Sequence, residues 1–190
     1  MCKRSLIGNT PMIKIFYEYK GNQRYLYAKL EYYNLTGSIK DRVAYRIISD
    51  AIKRDLLKPN MAIVEATSGN TGISLAAIGT FYKHPVYIFM PDWVSEERIK
   101  LMQSYGAHVT LISKEEGGFI RCVQEAAKFA NENNAFLVNQ FSNIENYKVH
   151  YEETRWGSAR TNYYRTISIC FRSWDWRHID GCWQTIERKV

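Results

Sequence analysis

This sequence predicts an α/β fold: a parallel sheet covered by helices on both faces. Two observations carry that expectation. From residue 62 onward, short apolar segments alternate with segments of helical length and helical period. The apolar segments are nearly continuous rather than alternating, as strands buried on both faces must be. Such sheets use right-handed crossovers and bind ligands at the carboxyl ends of their strands.

Taken in order, residues 12–16 and 25–30 read as strands joined by a turn at Lys20-Gly21-Asn22-Gln23. From Ser38 the period changes. Val43, Ala44, Ile47, Ile48, Ala51 and Ile52 recur at three- and four-residue steps, which predicts an amphipathic helix ending before Pro59. Ser38 suits its N-cap. Residues 62–65, 86–90, 108–112 and 135–139 read as successive strands. The helices between them run over 71–82, 95–105 and 117–131. The turns at 65–72, 90–95 and 139–142 therefore fall at the ligand-binding edge.

Composition narrows the function. A 46% apolar and 24% charged chain belongs with ordinary globular proteins rather than disordered ones. No apolar run approaches a membrane span, and the first eight residues have no extended apolar core, so a cytoplasmic protein is expected. Cys2, Cys122, Cys170 and Cys182 are scattered, as are His84, His108, His150 and His178, and neither set has metal spacing. The net charge of +7 raises nucleic-acid binding as a possibility, but its distribution argues against it. Residues 155–190 carry a net +4, leaving +3 for the preceding 154 residues, and hold four of the five tryptophans.

Two segments carry chemistry. In Thr67-Ser68-Gly69-Asn70-Thr71-Gly72, small side chains and two glycines let the backbone approach a ligand, while helix-terminal amides and three hydroxyls offer donors. The matching guest is a carboxylate or phosphate; a plain helix cap needs fewer such residues. Lys40, in Ser38-Ile39-Lys40-Asp41-Arg42, lies at a helix start, where the dipole disfavours a cation. With partial burial, that setting would lower its pKa and make it a better nucleophile. A lysine able to form a Schiff base beside an anion loop suggests pyridoxal phosphate chemistry on an amino acid.

The segments Ile7-Gly8-Asn9-Thr10-Pro11, Lys29 through Arg42, and Glu65-Ala66-Thr67-Ser68-Gly69-Asn70-Thr71-Gly72 closely resemble the cysteine synthase (O-acetylserine sulfhydrylase) family. Met90-Pro91, Tyr105-Gly106-Ala107 and Gln140-Phe141 continue the resemblance in order, and His150-Tyr151 looks like the B-type isozyme. Leu35 stands where the family usually has proline. The resemblance implies a fold type II pyridoxal 5'-phosphate enzyme that replaces the acetoxy group of O-acetyl-L-serine by sulfide. It implies that Lys40 forms the Schiff base and later moves the α-proton, and that Asn70 binds the cofactor's ring 3′-oxygen. Thr67, Ser68, Gly69 and Thr71, with Gln140, would bind the substrate carboxylate. The anion-loop domain would close on the substrate. A homodimer and a serine acetyltransferase partner are further implications. Related enzymes with another donor or nucleophile (cystathionine β-synthase, phosphoserine-dependent sulfhydrylases, diaminopropionate synthases) and a non-catalytic interaction module are the alternatives.

On this resemblance, residues 1–37 supply strands of a large domain, 38–145 an intact small domain, and 146–154 the start of a return to the large one. The resemblance stops after Thr154, where the family continues Gly-Pro-Glu-Ile. Tryptophan has a single codon, and reading from its second base always yields glycine. Shifted in this way, residues 171–178 permit the family's cofactor-phosphate motif Ser-Gly-x-Gly-Thr-Gly-Gly-Thr. A frameshift between Thr154 and Ser168 would account for the tryptophans and the arginine excess of residues 155–190 together; the alternative is a genuine, novel tail. The expectation is a poorly ordered tail, most of the large domain missing, and an impaired enzyme.

Overall fold

The computed structural model describes residues 6–154. They form two compact units, one spanning Lys40–Glu145 and the other built from the segments on either side of it. In the flanking unit, β1 (Met12–Tyr19) and β2 (Asn22–Lys29) form an antiparallel hairpin paired in unbroken register from Met12↔Lys29 to Tyr19↔Asn22. Its turn is shorter than the four residues expected. Lys20 (φ 52°) and Gly21 (φ 74°) both adopt left-handed backbone, giving a two-residue turn whose twist matches the strands. Asn22 and Gln23 are thereby released into the ladder.

The Lys40–Glu145 unit begins with α1 (Lys40–Lys53). Ser38, expected as its N-cap, lies two residues before the helix starts. Val43, Ala44, Ile47, Ile48 and Ala51 form its buried stripe. The unit then alternates β3 (Ile63–Ala66), α2 (Asn70–Phe81), β4 (Val86–Pro91), α3 (Glu96–Ser104), β5 (His108–Ile112), α4 (Gly118–Glu132) and β6 (Phe136–Leu137). Strand order is β5-β4-β3-β6, with every pairing parallel. β3 is central and fully buried. α4 packs Cys122, Ala126 and Ala130 against Val64, Ala66 and Phe89, so one sheet face is closed by apolar contacts.

α2 is buried nearly all round, because it lies between the sheet and its neighbours α1 and α3. Gly79 permits this: a Cβ there would stand 2.5 Å from Val86 Cγ2 and 3.2 Å from Ile63 Cδ1. Cys122 is a buried packing residue, as its dispersed spacing suggested; the other three cysteines and the expected out-of-frame tail lie outside the described residues. α5 (Ile144–Val149) and a π-helical turn (His150–Thr154) end the described chain. Among the described residues no helix is long and apolar enough to cross a membrane.

The strand order places the site. β3 is followed by β4 and β5 on one side, whereas β6 returns to the other side. The order reverses between β3 and β6, and their carboxyl ends open the crevice where such sheets hold ligands.

Candidate active site

The segment leaving β3 is Thr67-Ser68-Gly69, and Gly69 is the residue preceding α2. No side chain caps that helix. The Gly72 and Ile73 amides turn back to the Gly69 carbonyl at 3.0 and 3.5 Å. Among the described residues no main-chain carbonyl accepts from the Asn70 or Thr71 amide. A twelve-residue helix thus presents uncommitted N–H donors and the positive end of its dipole at the switch point. Gly72 allows the loop to sit this close: a Cβ there would meet Thr67 Cγ2 and Met102 Cε, each at 2.9 Å.

The loop residues divide by exposure. Ser68 and Asn70 face solvent, whereas Thr67 and Thr71 are buried. Thr71 Oγ1 donates to Gln140 Oε1 at 2.7 Å, so the loop after β3 is joined directly to the segment after β6. Arg98 Nη1 donates to the Ser68 carbonyl at 3.3 Å from α3.

Lys40 is the first residue of α1 and is half-buried. Its neighbour Asp41 is fully buried and accepts a 2.6 Å hydrogen bond from Ser74 Oγ, one turn into α2. That bond brings the Lys40 end of α1 to the loop end of α2. Arg46 Nε on α1 pairs with Glu145 Oε2 at 2.8 Å, fixing the end of the segment that carries Gln140. The structure therefore gathers Lys40, Thr67, Ser68, Gly69, Asn70, Thr71 and Gln140 around one strand edge.

A further residue sits beneath them. Glu65, 4% exposed on β3, accepts from its own neighbour's amide, Ala66 N, through Oε1 at 2.8 Å. Its Oε2 accepts from Gln140 N at 2.9 Å. Burial pushes its carboxyl up to about 7, against hydrogen bonds from the Gln140, Ala66 and Asn139 amides that favour the ionised form. Sequence reasoning passed over Glu65 as the end of a strand. The available signal was a charged residue inside the apolar run 62–66. Among the described residues no group of acidic, histidine and cysteine side chains could hold a metal ion.

The family model of pyridoxal-phosphate dependent enzymes matches residues 3–156. The chain belongs to that family. Within the pyridoxal-phosphate dependent enzymes it is similar to cysteine synthase B of Escherichia coli, 40% identical over 148 residues, covering 78% of this chain and 48% of that protein. Among solved structures it is similar to a hydrogen sulfide-producing enzyme of Fusobacterium nucleatum (TM-score 0.80, 44% identity, 83% of this chain and 48% of that one). It is also similar to a cysteine synthase of Entamoeba histolytica (TM-score 0.82, 30% identity, 100% and 57%). The chain spans about half the length of the curated relatives it matches.

The donor set fits the family's cofactor. A half-buried lysine stands at the same end of the unit as an uncapped helix N-terminus, and the polar Asn70 faces solvent there.

Proposed function

We propose that this chain carries the lysine and carboxylate-binding half of a cysteine synthase, an enzyme that makes L-cysteine from O-acetyl-L-serine and sulfide. The observation that carries the reading is the placement of Lys40 beside the uncapped α2 terminus, secured by the Asp41–Ser74 bond and closed by Thr71–Gln140. The similarity to cysteine synthases supports it.

Pyridoxal phosphate, when bound, supplies the electron sink that makes the substrate's α-proton acidic. Lys40 Nζ is the residue that would hold it, and Asn70 would hydrogen-bond its ring 3′-oxygen. Once displaced by the substrate's amino group, the freed amine of Lys40 would take the proton from the substrate's Cα, acting as general base. Acetate leaves Cβ with its bonding electrons, sulfide forms the new C–S bond, and Lys40 returns a proton to Cα. The amides of the 67–71 loop and the hydroxyls of Thr67 and Ser68 orient the substrate carboxylate, with Thr71 and Gln140 holding the loop shut. On the same reading the enzyme works in the cytoplasm as a homodimer and offers a docking site to serine acetyltransferase.

The resemblance implies that a glycine-rich motif holds the cofactor's phosphate in this family, and the shifted frame of residues 171–178 permits that motif. We therefore expect the 190-residue chain to retain the cofactor weakly and to make little cysteine. The test is the nucleotide sequence through codon 154 and past codon 190, followed by expression of the gene with the shifted frame restored. The restored protein should show the visible absorbance of a lysine-bound cofactor and convert O-acetylserine and sulfide to cysteine. A restored protein inactive with those substrates, or a 190-residue chain already fully active, would contradict the reading. The likeness to the Fusobacterium enzyme favours one second reading, a related β-replacement enzyme whose flux runs toward sulfide release. Rates with cysteine, phosphoserine and O-acetylserine as donors separate the two.

A further inference from the structure

We propose that Glu65 is the positioning residue of the carboxylate-binding face, its side chain fixing the main chain at Gln140 and, through Gln140 and Thr71, the start of α2. The inference rests on the reading of the 67–72 loop as a carboxylate site and extends it to the residue that sets its shape.

Three features lead to this assignment. Glu65 occupies the last-but-one position of β3, and β6 beside it ends at Leu137, so the segment 138–140 leaves the ladder where Glu65 stands. Main-chain pairing between the two continues only as far as Val138 N to Val64 O, at 3.0 Å. Beyond that point the strands diverge to open the crevice, and the Gln140 amide takes its acceptor from a side chain, Glu65 Oε2. A carboxylate suits this position because its two oxygens can accept from two main-chain amides at once, Ala66 on its own strand and Gln140 across the gap. From Gln140 the connection continues through its side chain to Thr71 Oγ1 at 2.7 Å. Every link in this path is buried. Glu65 reaches no ligand itself; it decides where the residues that do are held.

The chemistry also predicts what a near-isosteric change does. A glutamine offers one acceptor oxygen and one donor NH₂, so it cannot serve both amides. One N–H would face another, and the Gln140 segment would have to shift.

The test uses the 190-residue protein labelled with ¹⁵N and followed by NMR without cofactor. In the unaltered protein the Ala66 and Gln140 amide signals should move together over one proton's titration with its midpoint at about 7, and the Gln140 side-chain NH₂ and Thr71 signals should follow them. Glu65 lies opposite the apolar Ile88 on β4, and its carboxylate accepts from the main-chain amides of Ala66, Asn139 and Gln140, so that titration reports Glu65. In Glu65→Gln the titration should vanish and hydrogen exchange at Gln140 should quicken at least tenfold, while Leu75 and Ile88 exchange as before. Ala66 titrating without Gln140 and Thr71 would overturn the proposal. So would a variant whose Gln140 and Thr71 signals overlay the original, or one in which Leu75 and Ile88 lose protection as much as Gln140. Because the unaltered protein titrates on its own, the proposal stays testable if the variant fails to fold. No step depends on activity: Gln140 and Thr71 signals that do not follow Ala66 remove the role of Glu65, whereas an inactive frame-restored enzyme removes the β-replacement reading.

Discussion

Glu65 places two demands on one side chain. Burial raises its folded pKa to about 7 from an ordinary 4.5, so the folded protein holds this proton more tightly than the unfolded chain. Its contribution to stability is complete below about pH 4.5 and is lost as pH rises through about 7, a change on the order of 3 kcal/mol at 1.36 kcal/mol per unit. The hydrogen bonds that fix Gln140 favour the ionised form, so the site is best ordered where the fold is less stable. Urea unfolding at pH 5 and pH 8 should show this fall in the unaltered protein and a much flatter dependence in Glu65→Gln. Equal slopes would remove Glu65 as its source. At Ser74, Ser74→Ala takes the hydroxyl donor from the buried Asp41 carboxylate. The expected loss is about 1–3 kcal/mol in the same measurement. Beyond the oddity of a charge inside the apolar run 62–66, these partnerships were not legible in the sequence. Glu65, Asp41 and Ser74 acquire their roles from partners 33 to 75 positions away, and no local pattern encodes them. Lys40 and the 67–72 loop could be singled out in the sequence because a cation is disfavoured at a helix start and six small polar residues exceed what a cap needs, although the specific roles came from resemblance.

The elements themselves were largely readable, because three- and four-residue periods and apolar runs are local. The hairpin turn was read two residues too long: a lysine in left-handed backbone is uncommon, and only the pairing of both strands imposes it. Strand order was less accessible. β6 pairs through only Ile63↔Phe136 and Val64↔Leu137, and nothing in a two-residue strand announces which neighbour it will join. Yet that placement creates the switch point and hence the site. The close approach of α2 to the sheet yields a prediction at this scale. Gly79→Ala would place a methyl against Val86 and Ile63, costing about 1–3 kcal/mol through overpacking. The gain in helix propensity, up to about 1 kcal/mol, offsets only part of that. Denaturant unfolding should show net destabilisation; a stabilised variant would mean that Val86 can move aside.

At the scale of the whole molecule, the Lys40–Glu145 unit holds the residues that would orient an amino-acid carboxylate together with the lysine that would work on it. On the frameshift reading, the family's cofactor-phosphate motif would fall in residues 171–178, outside the described residues and reached through the genetic code rather than through periodicity. That difference explains why pattern reasoning served the first 154 residues and stopped there. The central claim, that Lys40 is the residue to which the cofactor attaches, has a direct measurement. The frame-restored protein is incubated with pyridoxal phosphate, reduced with borohydride, digested and mapped by mass spectrometry. The account predicts the pyridoxyl adduct on the peptide containing Lys40, and its loss in Lys40→Ala. An adduct on another lysine, or none in a folded protein, would contradict it.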